Sequence, residues 1–246
     1  MKFFSPALAS GLERVLGRRV TLDPELPATV LIGIVFTVAI GLMRGLLLTR
    51  KALVLEKGAR ISDPGNLRSG GGLVRIGAHS RIECTSRGGV SLGRNFKLGA
   101  FSRIIASGTL SDLGKGVTVG DNVGISEFAY IGGAGGVRIG SDVIIGQYFS
   151  THPENHIFSD PDVPIRQQGV TREGIEIGPD CWIGAKVTVL DGVSLGRGCV
   201  VAAGSVVTRS FPDFAVIGGV PARVLKMRGP APAAGPREIG DETDGK

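Results

Sequence analysis

From Ile177 onward an aliphatic residue returns at every sixth position: Ile177, Ile183, Val189, Leu195, Val201 and Val207. Gly directly follows the first, second and fourth, in IGPDCW, IGAKVT and LGRGCV. The same phase runs upstream through Ile139 and Ile145, through Val119, Ile125 and Ile131, and earlier through Ile76, Leu92, Leu98 and Ile104. A period of six is neither the 3.6 of a helix nor the 2 of plain alternation. It fits a coil with three flat sides, each a short strand ending in a turn. Inward aliphatic residues then stack rung on rung into one thin core. The pattern predicts an all-β chain built as a parallel β-helix over residues 58–217. Its phase breaks near 105–116, 132–137 and 151–174.

A different pattern precedes the repeat. Ala28 to Met43 is sixteen residues without a charge, followed by Arg44 and then GLLLT. This predicts a hydrophobic helix over about 28–48, inside an N-terminal segment of residues 1–57. A spanning helix needs about 20 apolar residues, and reaching that length here includes Arg44. The run starts too late, and lacks the cleavage-site pattern, for a signal peptide. The segment either contacts a membrane or caps the open end of the solenoid, whose bare strand edge needs a cover. After the last rung, 218–228 is expected to form a short C-terminal element. Residues 229–246 are Pro/Gly-rich and acidic, and read as a disordered tail.

Composition agrees with a narrow prism. Of 246 residues 40 are Gly, and aromatics make up only 5%. The net charge of +6 is concentrated at the N-terminus, where residues 1–60 carry nine Lys/Arg against four Asp/Glu. The nearly neutral body argues against a nucleic-acid partner, which wants a basic stripe with aromatic platforms. Cys84, Cys181 and Cys199 show neither metal spacing nor enough number for a disulfide framework. They read as buried, reduced thiols of a cytoplasmic protein.

Loops that break a rigid repeat are where function concentrates. The segment 151–174 carries His152 and His156, two of the three His in the chain. Neutral imidazole suits a general base, because its pKa lies near operating pH. A catalytic zinc would want three protein ligands, and His79 belongs to a distant early rung. No metal is expected.

The period-six repeat, the HPENHIF loop, the stretch CWIGAKVTVLDGVSLG and the ending AAGSVVTRSFPDFAVIGGVPARVL resemble the hexapeptide-repeat acyltransferases. The nearest branch resembles the O-acetyltransferases of bacterial polysaccharide biosynthesis, related to galactoside, maltose and xenobiotic acetyltransferases. The resemblance covers about residues 58–228. It implies a left-handed coil, a homotrimer, and acetyl-CoA bound between neighbouring subunits. It also implies a catalytic His in the extruded loop. His156 lies seventeen residues after Ile139, the family's spacing, and Asn155-His156-Ile157 resembles the xenobiotic branch. His152 stands in a THP like that of the sugar acetyltransferases. His156 is favoured as base, with His152 contacting the acceptor or orienting the base.

The resemblance further implies that Trp182 and Ala185 line the pantetheine channel and that Ala203 and Gly204 keep its wall small. Thr208 and Arg209 stand where the family has a Thr-Lys at the adenosine-phosphate end. Arg223 and Lys226 add charge for the phosphates. On the acceptor side the candidates are Glu154, Asn155, Ser126 and Glu127, with Asp160, Asp162 and Arg166 within the loop. Glu154 or a backbone carbonyl is also a candidate to fix the His tautomer. The expected reaction is O-acetylation of a sugar hydroxyl, in a surface polysaccharide or its precursor, by a cytoplasmic protein that is either free or held at the inner face of the cell membrane. The alternatives are N-acetylation of an amino sugar, a metal-dependent β-helix hydratase, and a scaffold without activity.

Overall fold

A computed structural model describes residue 23, residues 25–109 and residues 111–229. The tail expected over 229–246, Gly229 excepted, and residues 1–22 and 24 of the N-terminal segment lie outside the described residues. The architecture is the expected left-handed parallel β-helix. Three flat faces wind around one core.

Face A stacks nine strands. They are β1 (Val54–Leu55), β4 (Arg75–Ile76), β7 (Lys97–Leu98), β10 (Gly124–Ile125), β13 (Ile144–Ile145), β18 (Trp182–Ile183), β21 (Val200–Val201), β23 (Ala215–Gly219) and β24 (Ala222–Met227). Face B stacks seven: β2 (Arg60–Ser62), β5 (Arg81–Glu83), β8 (Arg103–Ile105), β11 (Tyr130–Gly132), β14 (Ser150–His152), β19 (Thr188–Leu190) and β22 (Val206–Val207). Face C stacks six: β3 (Leu67–Ser69), β6 (Val90–Leu92), β9 (Val117–Val119), β12 (Val137–Ile139), β17 (Ile175–Ile177) and β20 (Ser194–Leu195). A separate hairpin joins β15 (Asn155–His156) to β16 (Val170–Thr171).

The six-residue period maps onto this geometry one residue per face. Ile125, Ile131 and Ile139 point inward from faces A, B and C of successive sides, and all are buried. Their register partners one rung on, Ile145, Thr151 and Ile177, are buried as well. On faces A and C aliphatic residues stack on aliphatic residues, and on face B Thr151 stacks on Ile131. Among the described residues only two Phe, Phe96 and Phe149, are fully buried in the prism. All three cysteines are free and buried. Burial pushes the Cys84 thiol up to about 12, helped by the nearby carboxylates of Asp63 and Glu83.

The first rung starts earlier than the expected boundary at 58, because β1 at Val54–Leu55 already belongs to face A. The C-terminal element is β24, which folds back antiparallel on β23 and closes face A. At the other end stands helix α1 (Ala28–Thr49). One stripe of it is buried: Leu31, Val38, Gly41, Gly45 and Thr49. A Cβ on Gly45 would lie 1.9 Å from the Leu53 carbonyl oxygen, so only Gly permits this approach. The C-terminal half of α1 thus lies against β1 of the first rung. The three breaks in phase, at 106–116, 133–136 and 153–174, all fall on one edge of the prism, where face B turns into face C.

Candidate active site at the B–C edge

The three consecutive excursions are stacked, and the middle one, Gly133-Ala134-Gly135-Gly136, follows Gly132 of β11. Its glycines let the outer two close over it. A Cβ on Gly135 would sit 1.8 Å from the Pro153 carbonyl oxygen, and one on Gly133 would lie 3.0 Å from the Ala106 Cα. Across this low saddle one guanidinium joins the outer loops. Arg172 Nε donates to Glu154 Oε2 at 2.6 Å, and its Nη1 donates to Asp112 Oδ2 at 2.7 Å. The Arg172 side chain is only 13% exposed, which sets this pair apart from ordinary surface ion pairs. Lys115 Nζ donates to the Arg172 carbonyl at 2.6 Å. Where the long loop rejoins the prism, the Asp191 carboxylate accepts the backbone N–H groups of Glu173 and Gly174.

This frame carries both loop imidazoles. His152 sits outward at the end of β14, its ring stacked on Tyr130 with centroids 5.9 Å apart. His156 is exposed on β15, opposite Val170 of β16. Between them Glu154 has one carboxylate oxygen on Arg172, so its shown partner is a cation of the loop and not an imidazole. Asp160 and Gln168 bond each other within the loop. Asp162, Arg166 and Asn155 are exposed around it.

The other predicted site residues divide between two edges. Register places Leu190 beside His152, and Thr208 follows Val207, the partner of Val189. Thr208 is therefore two rungs past His152 on the same edge, about 10 Å along the axis. Arg209 beside it lays its guanidinium over the Phe211 ring, 5.3 Å from the centroid. Trp182 lies on the outer surface of face A, exposed, and the register Trp182–Val200–Val216–Lys226 puts Lys226 in the same row. Arg223 is also on that face, opposite Gly218. Ala185, Ala203 and Gly204 form turns at the A–B edge, with Ser126 and Glu127 further down it. One chain thus gathers His152, His156, Thr208 and Arg209 on its B–C edge, and Trp182, Ala185, Ala203, Gly204, Ser126 and Glu127 on or beside face A. It does not bring the two groups together.

A groove of about 550 Å³ runs along face C at the foot of the loops. Lys115, Arg138, Glu173 and Glu176 line it, and neither loop His does. Among the described residues no three His, Cys, Asp or Glu side chains are grouped to hold a metal ion. Sequence reasoning missed Arg172, Asp112, Lys115 and Tyr130. Nothing in the local sequence marks residues that meet across about 60 positions. The only available signal was that charged residues stand at the margins of two phase breaks.

The model of the hexapeptide repeat of succinyl-transferase matches residues 174–209. WbbJ of Escherichia coli, a protein named for O-acetyl transfer in lipopolysaccharide biosynthesis, is 34% identical over 156 residues, covering 59% of this chain and 76% of that protein. A Mycobacterium tuberculosis protein named as an acetyltransferase is 39% identical over 92 residues, 37% of this chain. The matched part spans only 31% of that relative's length. Among solved structures, a hexapeptide-repeat acetyltransferase of Vibrio cholerae in complex with acetyl coenzyme A is 21% identical, covers 90% of this chain and 87% of its own, and superposes with a TM-score of 0.44.

Proposed function

Because this chain belongs to the hexapeptide-repeat acyltransferase family, we propose that it transfers an acetyl group from acetyl-CoA to a sugar hydroxyl of a bacterial surface polysaccharide or its precursor. The observation that carries the reading is the placement of two exposed imidazoles on a loop frame held by one part-buried guanidinium. The kinship with WbbJ favours the O-acetyl and polysaccharide parts.

His156 acts as general base. Its free imidazole nitrogen takes the proton of the acceptor hydroxyl, the oxygen attacks the thioester carbonyl, and the imidazolium returns the proton to the leaving thiolate. His152, stacked on Tyr130, contacts the acceptor or orients the base. No covalent intermediate on the protein is required. Trp182, Ala185, Ala203 and Gly204 take the pantetheine arm, while Thr208, Arg209, Arg223 and Lys226 take the phosphate end. These residues occupy two separated edges of one chain, so the complete cleft forms between subunits of a homotrimer. A neighbour's face A then meets this chain's B–C edge.

The test is release of free CoA thiol by wild type, His156→Ala and His152→Ala, with sugars, nucleotide sugars and lipid-linked glycans as acceptors. Loss of turnover by about 10²-fold or more in His156→Ala alone supports the assignment. A dead His152→Ala beside an active His156→Ala moves the base to His152. Absence of both turnover and acetyl-CoA binding in wild type ends the reading.

A further inference from the structure

Helix α1 has two faces with different partners. Its C-terminal half lies against the open edge of β1. In a strand, alternate residues direct their N–H and C=O groups to opposite sides. Val54 and Glu56 give their N–H groups to Val74 and Ile76 of the next rung. Leu55 and the Leu53 carbonyl therefore face the other way, outward from the end of the solenoid. A Cβ on Gly41 would lie 3.4 Å from both Leu55 N and Leu55 O, and one on Gly45 would strike the Leu53 oxygen. As the helix advances from residue 41 to 45 its contact retreats from Leu55 to Leu53. The helix thus runs antiparallel to β1, across the solenoid axis, as a lid on the prism's end.

At about 100° per residue, the buried stripe of Leu31, Val38, Gly41, Gly45 and Thr49 occupies one arc. A second, non-overlapping arc of about 140° holds Ile32, Val35, Phe36, Ile40, Met43, Leu46 and Leu47, every one exposed. Such a contiguous apolar face on the outside of a folded domain marks an interaction surface. Basic groups collect beside it. Arg44 lies on the flank of the helix, Arg50 and Lys51 follow its C-terminus, and Lys57 and Arg60 project from the first rung. Of the nearby acids, Glu56 is paired with Arg75, which leaves Asp63 beside the first rung and Asp23 and Glu25 ahead of the helix, at the end away from this basic group.

We propose that α1 docks the protein on an anionic lipid bilayer, lying in the plane of the interface with its second arc in the acyl boundary and the solenoid standing above it. The seam with β1 excludes a spanning arrangement. Residues from Gly41 to Thr49 are held by the solenoid, and Leu31 and Val38 are buried as well, so at most Ala28 to Ile40 could leave the protein for a bilayer. These reach about 20 Å at 1.5 Å per residue, against a hydrocarbon core of about 30 Å. A helix in the plane needs one apolar face and one non-lipid face. Here the first rung supplies the non-lipid face, and the basic collar meets anionic headgroups. The rung bearing His152 is four strand steps above β1, about 19 Å. Resting on the acyl-transfer reading, this height selects a glycan chain extending from a lipid anchor, not the headgroup itself.

The experiment is flotation of the full chain with vesicles of phosphatidylcholine alone or with phosphatidylglycerol, combined with bimane labels at Ile32→Cys and Leu47→Cys. The native cysteines are buried, which directs the label to the new sites. Expected are flotation with the anionic vesicles, a loss of about tenfold or more in the double variant Phe36→Glu/Leu47→Glu, and equal, shallow quenching of both labels by lipid-borne quenchers. A protein that stays at the bottom with both vesicles overturns the proposal. So does a Phe36→Glu/Leu47→Glu variant whose vesicle binding is intact while its oligomeric mass changes, which assigns the face to a second copy. A deep Ile32 label with a dry Leu47 label also overturns it, in favour of insertion along the bilayer normal. CoA release with a water-soluble acceptor is scored separately. Vesicle binding without turnover leaves the docking standing and sinks only the acyl-transfer reading.

Discussion

Two edges of the same prism contrast sharply. Along the A–B edge every described rung turns tightly, and residues in the left-handed region stack in register: His79, Phe101, Phe128, Tyr148 and Lys186. Four of these form a continuous column of near-parallel rings, with centroids 4.9–5.4 Å apart. Along the B–C edge three successive rungs leave the repeat, and the loops are joined by ions and hydrogen bonds from distant positions. One edge repeats a local solution and is held by its neighbours. The other abandons it, and what holds it together is a part-buried guanidinium and a run of glycines. The chemistry-bearing imidazoles sit on the second. A repeat supplies rigidity cheaply, and a break in it supplies a surface that can be positioned.

The largest effect should come from the imidazoles. His156→Ala should lower CoA release by about 10²-fold or more without moving the melting temperature, since its side chain is exposed on a loop hairpin. Next is Arg172→Met, which leaves Glu154 and Asp112 without their shared donor. Hydrogen bonds to charged groups contribute about 1.5–3 kcal/mol, and this one is part-exposed at both acids. Turnover should fall about tenfold through loss of loop placement, with a rise in acceptor KM read by steady-state kinetics. Arg172→Lys should rescue only in part, because an ammonium cannot present the two-armed fork.

At the regular edge the outcome should reverse. Phe101→Ala removes one ring from the column and should cost about 1 kcal/mol of stability, seen in denaturant titration, while CoA release stays unchanged. A loss of turnover there comparable to that of Arg172→Met would erase the distinction between the edges.

The smallest effect concerns the wall of the prism. The Cys84 thiol is held up to about 12, above its ordinary value near 9. The folded state therefore keeps this proton where the unfolded state has lost it. The resulting stability is present below about pH 9 and fades between about 9 and 12. Melting temperatures measured across that range should fall less steeply in Cys84→Ala than in wild type.

Much of this was legible in the sequence. Ile177, Ile183, Val189, Leu195, Val201 and Val207 announced the three inward columns, two residues to each, and all six are buried. The helix at 28–48 and the three phase breaks were equally visible, because each is a departure from a local rule. The seam of Gly41 and Gly45 on β1 was not. Within the helix those glycines read only as small residues in an apolar run. Arg172 was also silent, since its partners lie 18 and 60 positions away.

By itself the sequence determined that the chain coils, where the coil is interrupted, and which side chains point inward. Each of those depends on a residue's own character and on neighbours that repeat it one rung on. Only the tertiary structure decided that all three interruptions share one edge, that Arg172 spans them, and that Trp182 and Thr208 face different ways. It also decided that α1 gives one face to β1 and leaves the opposite face open. These follow from how rungs stack and where an open strand edge finds its cover. A one-dimensional period carries the direction of a side chain but not its partner across the stack.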